Sequence, residues 1–167
     1  MQEVETLEKF KETVDEEIKV YEEMENLLKM KQSILIQCKP EELWSVDSKL
    51  VSHIDVVKQI SSKRKEVAKY LGNENITMSE IIQKAMDSNE TMAEEFKTQK
   101  KKLKMLTTSI SLYENTNLEL IKHGMAVTDR KLKIIFNAIA PHANQYDNSG
   151  RNTESNELGI SSVVEDV

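Results

Sequence analysis

The sequence has few of the residues that interrupt or cross-link a chain. Its 167 residues include one cysteine, two prolines and four glycines. The single cysteine, Cys38, excludes an intrachain disulfide and a zinc site made of cysteines, and its place near a helix end predicts a small core residue. Since so few glycines and prolines leave few places to turn, and helix-forming residues dominate residues 1–139, we expect long helices there.

Long apolar runs and an excess of positive charge are also missing. No apolar run approaches the roughly 20 residues that a membrane span needs, and the acidic start lacks the apolar core of a secretory signal. We therefore expect a soluble, cytoplasmic protein without membrane insertion. The net charge of −6 argues against nucleic acid as a partner. A cluster of lysines is interpreted as a solvated face, or as a complement to the Glu-rich first helix: Lys97, Lys100, Lys101, Lys102 and Lys104.

Apolar residues recur at every seventh position in two segments. The first series is Leu7, Val14, Tyr21, Leu28 and Leu35, and the second is Leu106, Tyr113, Leu120, Val127 and Ile134. A spacing of seven returns a side chain to nearly the same face of an α-helix every two turns. Each series, here called a heptad seam, therefore has to be buried against another helix.

The pattern predicts an all-α fold, an elongated antiparallel bundle over residues 1–140 with helices at about 4–38, 41–71, 78–87 and 90–139. A short turn before Pro40 makes the first two helices an antiparallel hairpin. Glu17 and Lys31 interrupt the apolar row beside the first seam, which predicts a shallow or partly wet contact. Beyond Pro141 the composition turns to Asn, Ser, Gly and Glu, so a disordered tail is expected over 141–167.

The third helix has the clearest start. Thr77 and Glu80 have the spacing of a capping box, and Ile76 and Ile81 have that of a hydrophobic staple. The segment 87–89 either bends this helix or caps a new one. From Glu90 onward we expect one long helix, antiparallel to the second helix and alongside the first.

Six segments of the sequence occur in an order that is typical of one protein family. They are LWSVDSKL (43–50), ISSKRKEV (60–67), YLG (70–72), the helix capped by Thr77, YENTNLELI (113–121) and YDNSG (146–150). In this order they resemble the FlgN family of flagellar type III export chaperones, over about residues 20–151. One departure is Glu114, which stands where the family tends to have the first asparagine of Asn-x-x-Asn-x-x-Leu, whereas Asn117 and Leu120 match.

The resemblance implies a cytosolic chaperone that holds the hook-filament junction proteins FlgK and FlgL before export. It also implies delivery to the export gate, FlhA, through an aromatic residue in the tail, and Tyr146 is the matching position. Such proteins are binding modules that need no cofactor, so we expect no enzymatic activity. The residues agree with that class, since no glycine-rich phosphate loop occurs and no histidine has the preceding glutamate of a Glu-x-x-His metal motif.

A second apolar stripe begins at Leu118. We call the following set the second stripe: Leu118, Ile121, Met125, Leu132, Ile135 and Ile139, with Phe136 beside them. Successive residues are about 100° apart around a helix, so this stretch is apolar on two faces at once. The hairpin can bury one face, and an amphipathic client helix is the main interpretation of the other. Burial of both faces by the first helix and pairing of two chains in a homodimer are the alternatives.

Asn117 falls in line with Leu103, Ile110 and Gly124 on the seam. A buried asparagine there selects one register of packed helices. A hydrogen bond to the backbone of a client is the alternative, so Asn117 also belongs to the candidate client-binding residues. The alternative function for the whole chain is a structural coiled-coil protein that assembles with itself and carries no export cargo.

Overall fold

The structure is a computed structural model that describes the backbone of residues 2–139 and the side chains of residues 3–139. These residues form four helices, α1 (Gln2–Ile36), α2 (Pro40–Tyr70), α3 (Met78–Ser88) and α4 (Glu90–Ile139). No β-strand occurs within residues 2–139, so the all-α fold class is confirmed. The tail expected over 141–167, with Tyr146, lies outside the described residues.

The chain divides into two units, Met1–Lys122 and His123–Val167. The first unit holds α1, α2, α3 and the part of α4 that ends at Lys122. In the second unit the described residues, 123–139, are the last turns of α4.

The turn between α1 and α2 depends on Cys38. Its φ of 54° lies in the left-handed region, and its N–H donates to Leu35 O at 3.2 Å. The Lys39 N–H donates to Ile34 O at 3.2 Å, so late carbonyls of α1 are bonded before Pro40 begins α2. The expectation that Cys38 is a small core residue is wrong. The chain has already left the helix and reversed direction at Cys38, so the side chain is exposed.

Ion pairs between α1 and α2 show that the two helices are antiparallel. Residue numbers rise along α1 and fall along α2 in the pairs Glu16–Lys63, Glu17–Arg64, Glu23–His53 and Lys31–Asp47. Glu17 is 5% exposed and bonded to Arg64, so the contact there is buried rather than shallow and wet. Lys31 Nζ reaches Asp47 at 2.7 Å. The polar interruptions of the apolar row are therefore filled by charges from the facing helix.

The start of α3 confirms the capping box. Thr77 Oγ1 accepts a hydrogen bond from the Glu80 N–H at 3.3 Å, and the Glu80 carboxylate accepts one from the Thr77 N–H at 2.7 Å. Ile76 packs on the same core cluster as Ile81. At the other end, Asn89 Oδ1 accepts from two N–H groups of the first turn of α4, at 3.0 and 3.3 Å. The segment 87–89 thus ends one helix and caps the next.

Within the first unit, α4 lies beside α1 and runs parallel to it. Residue numbers rise together along both helices in the contacts Lys11–Glu95, Asp15–Gln99, Glu22–Lys102 and Glu25–Ser109. Since α2 is antiparallel to α1, it is also antiparallel to this part of α4, as the sequence predicted. Four of the five residues of the first heptad seam lie in or against the buried core of this arrangement: Leu7, Val14, Tyr21 and Leu28.

Two core clusters fill the first unit. The first joins the start of α1, the end of α2, α3 and the start of α4, and it contains the ring pair Phe10–Phe96, with centroids 6.1 Å apart. The second joins later turns of α1 to the first half of α2 and to Ile110 of α4. Because α1 contributes to both clusters, its apolar side chains are shared among all three other helices.

His53 links α1 and α2 through two hydrogen bonds that each require a proton on the ring. Nδ1 lies 2.8 Å from Lys49 O, and Nε2 lies 2.8 Å from the Glu23 carboxylate. Both partners are acceptors, so both ring nitrogens act as donors and the imidazolium form is favoured. The Lys49 carbonyl, followed by the Glu23 carboxylate, raises the pKa of His53 above its ordinary value.

We expect the stabilising contribution of His53 to fall as the pH rises. Its pKa is higher in the folded chain, so the contribution is complete below the ordinary value of 6.5 and is lost as the pH rises through the folded pKa. Urea unfolding midpoints of wild type and His53→Gln should therefore differ more at about pH 5.5 than at about pH 8.5. His123→Gln, at an exposed histidine of α4, is the control. An equal difference at both pH values would contradict the charged pair.

Candidate functional site

The heptad seam of α4 is buried at its start and exposed at its end. Leu106 is 8% exposed, Tyr113, Leu120 and Val127 are partly buried, and Ile134 is 68% exposed. The expectation that the whole seam is buried is therefore wrong at Ile134. The heptad spacing defines which side chains share a face, but it carries no information on where a covering helix ends.

The second stripe is largely exposed along its length. Ile121 is partly buried. The exposed fractions of the others are 48% for Leu118, 68% for Met125, 47% for Leu132, 51% for Ile135, 49% for Phe136 and 75% for Ile139. The positions 121, 125, 132 and 139 are spaced by four or seven residues, so their side chains share one face of α4. The result is a long apolar helix face in contact with water.

Asn117 occupies the interior of the first unit. Its side chain is 2% exposed, and Nδ2 donates to Leu28 O of α1 at 3.0 Å. Oδ1 is buried and has no hydrogen-bond partner among the described residues. Among the candidate client-binding residues, Asn117 is thus the one that the structure places in a contact between the chain's own helices, in the position of a residue that sets register.

Gln99 makes a second contact of the same kind, which is not among the expectations from the sequence. It is 6% exposed, and Nε2 donates to Asp15 Oδ1 at 2.7 Å and to Lys11 O at 3.3 Å. Its Oε1, like Asn117 Oδ1, has no partner among the described residues. The heptad spacing is enough to identify it, because Gln99 lies seven residues before Leu106 and so continues the heptad seam. Two buried carboxamides of α4 therefore bond to α1 at the level of both core clusters.

We expect Asn117→Leu to leave the free energy of unfolding unchanged or to raise it by up to about 1 kcal/mol. Leucine has a similar shape and removes the buried, unpartnered Oδ1 atom. Guanidinium unfolding followed by circular dichroism measures the change, with Asn115→Leu at an exposed position of the same helix as the control. A loss well above 1 kcal/mol would instead indicate that a bound water or another group completes the bonding of Asn117.

Within residues 2–139, no three His, Cys, Asp or Glu side chains come together as ligands for a metal ion. None of the helices described has both the length and the hydropathy to cross a membrane.

Most of the chain matches a known protein family. The sequence model of the family described as FlgN protein matches residues 1–154, a range that includes both heptad seams, the second stripe and Tyr146. Searches of curated proteins and of solved structures gave no significant match. Since the match spans most of the 167 residues, the chain belongs to the FlgN family, whose members are chaperones of flagellar protein export and not enzymes.

Proposed function

We propose that this member of the FlgN family binds the amphipathic helical ends of hook-filament junction proteins of the FlgK and FlgL type through the second stripe. The supporting observation is the exposure of large apolar side chains on one face of α4, above all Met125, Phe136 and Ile139. Burying apolar surface yields about 25 cal/mol per Å², and a contiguous exposed apolar patch marks an interaction site. An amphipathic helix laid along α4 would remove this face from water.

The proposed action takes place in the cytoplasm, before the client is exported. Delivery to the cytoplasmic domain of FlhA is assigned to the tail, with Tyr146 as its aromatic anchor. Two considerations support this division. Holding a client calls for a preorganised apolar face such as that of a helix, whereas a transient delivery step suits a short polar segment with one aromatic anchor.

We expect the triple substitution Ile121→Ser, Met125→Ser and Leu132→Ser to weaken client binding strongly while the chain stays folded. Each buried anchor commonly contributes about 2 kcal/mol or more to binding, and these side chains contribute little to the chain's own core. Titration calorimetry with a purified junction protein measures the binding, and thermal unfolding measures the fold.

Two further variants make this test specific. Met105→Ser with Leu112→Ser changes two side chains of α4 that are 64% and 65% exposed but lie outside the second stripe, so client affinity should not change. Leu106→Ala opens the chaperone's own core and should cost roughly 2–5 kcal/mol of stability. If the triple variant unfolds, or binds the client as wild type does, the second stripe is not the client surface. If it abolishes a concentration-dependent dimer instead, the stripe joins two copies of the chain.

We expect Tyr146→Ala to reduce binding of the loaded chaperone to the FlhA cytoplasmic domain without altering client affinity. The reason is that the proposed gate anchor and the proposed client face use different residues. A titration of the chaperone–client complex with the gate domain, wild type against variant, measures the effect, and truncation after Ala140 should behave alike. Equal gate affinities would remove the tail from delivery and leave that step to the helical body or the client.

A further inference from the structure

The second stripe lies in a basic stretch of an acidic chain. Residues 118–139, the span of the second stripe, carry four cationic side chains, Lys122, Arg130, Lys131 and Lys133, and two anionic side chains, Glu119 and Asp129, whereas the whole chain has a net charge of −6. All six side chains are exposed. The exposed apolar face of α4 therefore lies in a stretch with an excess of positive charge.

Three of these cations border the stripe on its two edges. Lys131 is four residues from Ile135, Lys133 is three from Phe136, and Lys122 is three from Met125, and helical periodicity places such pairs side by side. Relative to the middle of the stripe, Lys131 lies on one edge and Lys122 and Lys133 lie on the other. Arg130 lies on the opposite face, near Ile134.

The charges on the two edges are neutralised to different extents. Lys122 Nζ is 2.9 Å from Glu119, and Lys133 Nζ is 2.9 Å from Asp129, both within α4. Lys131 has no ion-pair partner among the residues that the structure describes. Exposed pairs within one helix are weak, so Lys133 can turn to a stronger partner at little cost.

From this arrangement we infer that the second stripe is selective for an amphipathic helix with acidic residues along the edges of its apolar face. The inference rests on the proposed function, because it concerns the partner of the same surface. In paired helices, residues flanking the apolar positions set partner choice through charge, and Lys131 and Lys133 hold such flanking positions here. An anionic membrane also attracts basic amphipathic helices, but the family to which the chain belongs implies protein export substrates as partners.

The test uses the full chain and two synthetic helical peptides that share one apolar heptad pattern. One peptide carries Glu at the flanking positions, and the other carries Lys. Wild type should bind the Glu peptide roughly tenfold more tightly, with faster association that slows as salt is added. The double variant Lys131→Glu and Lys133→Glu should reverse this preference.

A matched control is available on the same helix. Lys101→Glu with Lys104→Glu causes the same change in net charge at exposed positions outside the second stripe, and it should keep the wild-type preference. Equal binding of both peptides by wild type, or an unchanged preference in the Lys131/Lys133 variant, overturns the inference.

The triple Ser variant of Ile121, Met125 and Leu132 distinguishes a failure of the inferred charge selectivity from a failure of the proposed function. If that variant loses both peptides while wild type shows no preference between them, the stripe is a helix-binding face without charge selectivity. If it binds the Glu peptide as wild type does, the stripe is not the binding surface and the proposed function fails as well. Binding to phosphatidylglycerol vesicles that exceeds binding to either peptide, and is lost in the Lys131/Lys133 variant, would assign the surface to a membrane instead.

Discussion

The register of α1 against its two long neighbours is the constraint on which the first unit depends. Towards α2, the buried Glu17 of α1 pairs with Arg64. Towards α4, backbone carbonyls of α1 accept hydrogen bonds from Gln99 and Asn117. A buried polar group without a partner costs about 1–3 kcal/mol, so a slip of either neighbour by one turn would be penalised at several places. Apolar contacts alone tolerate such slips more readily. The polar contacts therefore specify one arrangement, and the apolar clusters supply most of its stability.

With this register fixed, the apolar residues of α4 form a buried group and an exposed group. Leu106 and Ile110 are 8% exposed because they belong to the two core clusters, whereas Met125 and Ile139 are apolar side chains of the same helix that are 68% and 75% exposed. A helix that needed only to pack within its own unit would gain nothing from extending this face. Retaining large apolar side chains in water has a solubility cost, which is offset when the face has a partner.

The fold class, the parallel placement of α1 and α4 and the capping box at Thr77 could be predicted because each follows from local spacing or from short connections. Cys38, Glu17 and Ile134 could not be placed in the same way. The position of Cys38 depends on how the chain reverses, and burial of Glu17 depends on the facing Arg64. The exposure of Ile134 depends on whether anything covers it, and the seam residues have the same pattern with or without a neighbour. The second stripe could be identified as a candidate site from the sequence, but its exposure required the structure.

An apolar stripe bordered by lysines divides the task of recognition between two physical effects. Burial of Ile, Leu, Met and Phe side chains is proportional to area and nearly independent of sequence, so under the proposed function it would hold more than one junction protein. Charge at the edges acts at longer range and depends on sign, so it would favour some helices and reject others before close contact is made. Because charge steers the encounter of two helices before they touch, this selection would act mainly on the association rate and would leave the dissociation rate to the apolar contact. Under the proposed function, the apolar face would hold a client helix and the charged edges would select it.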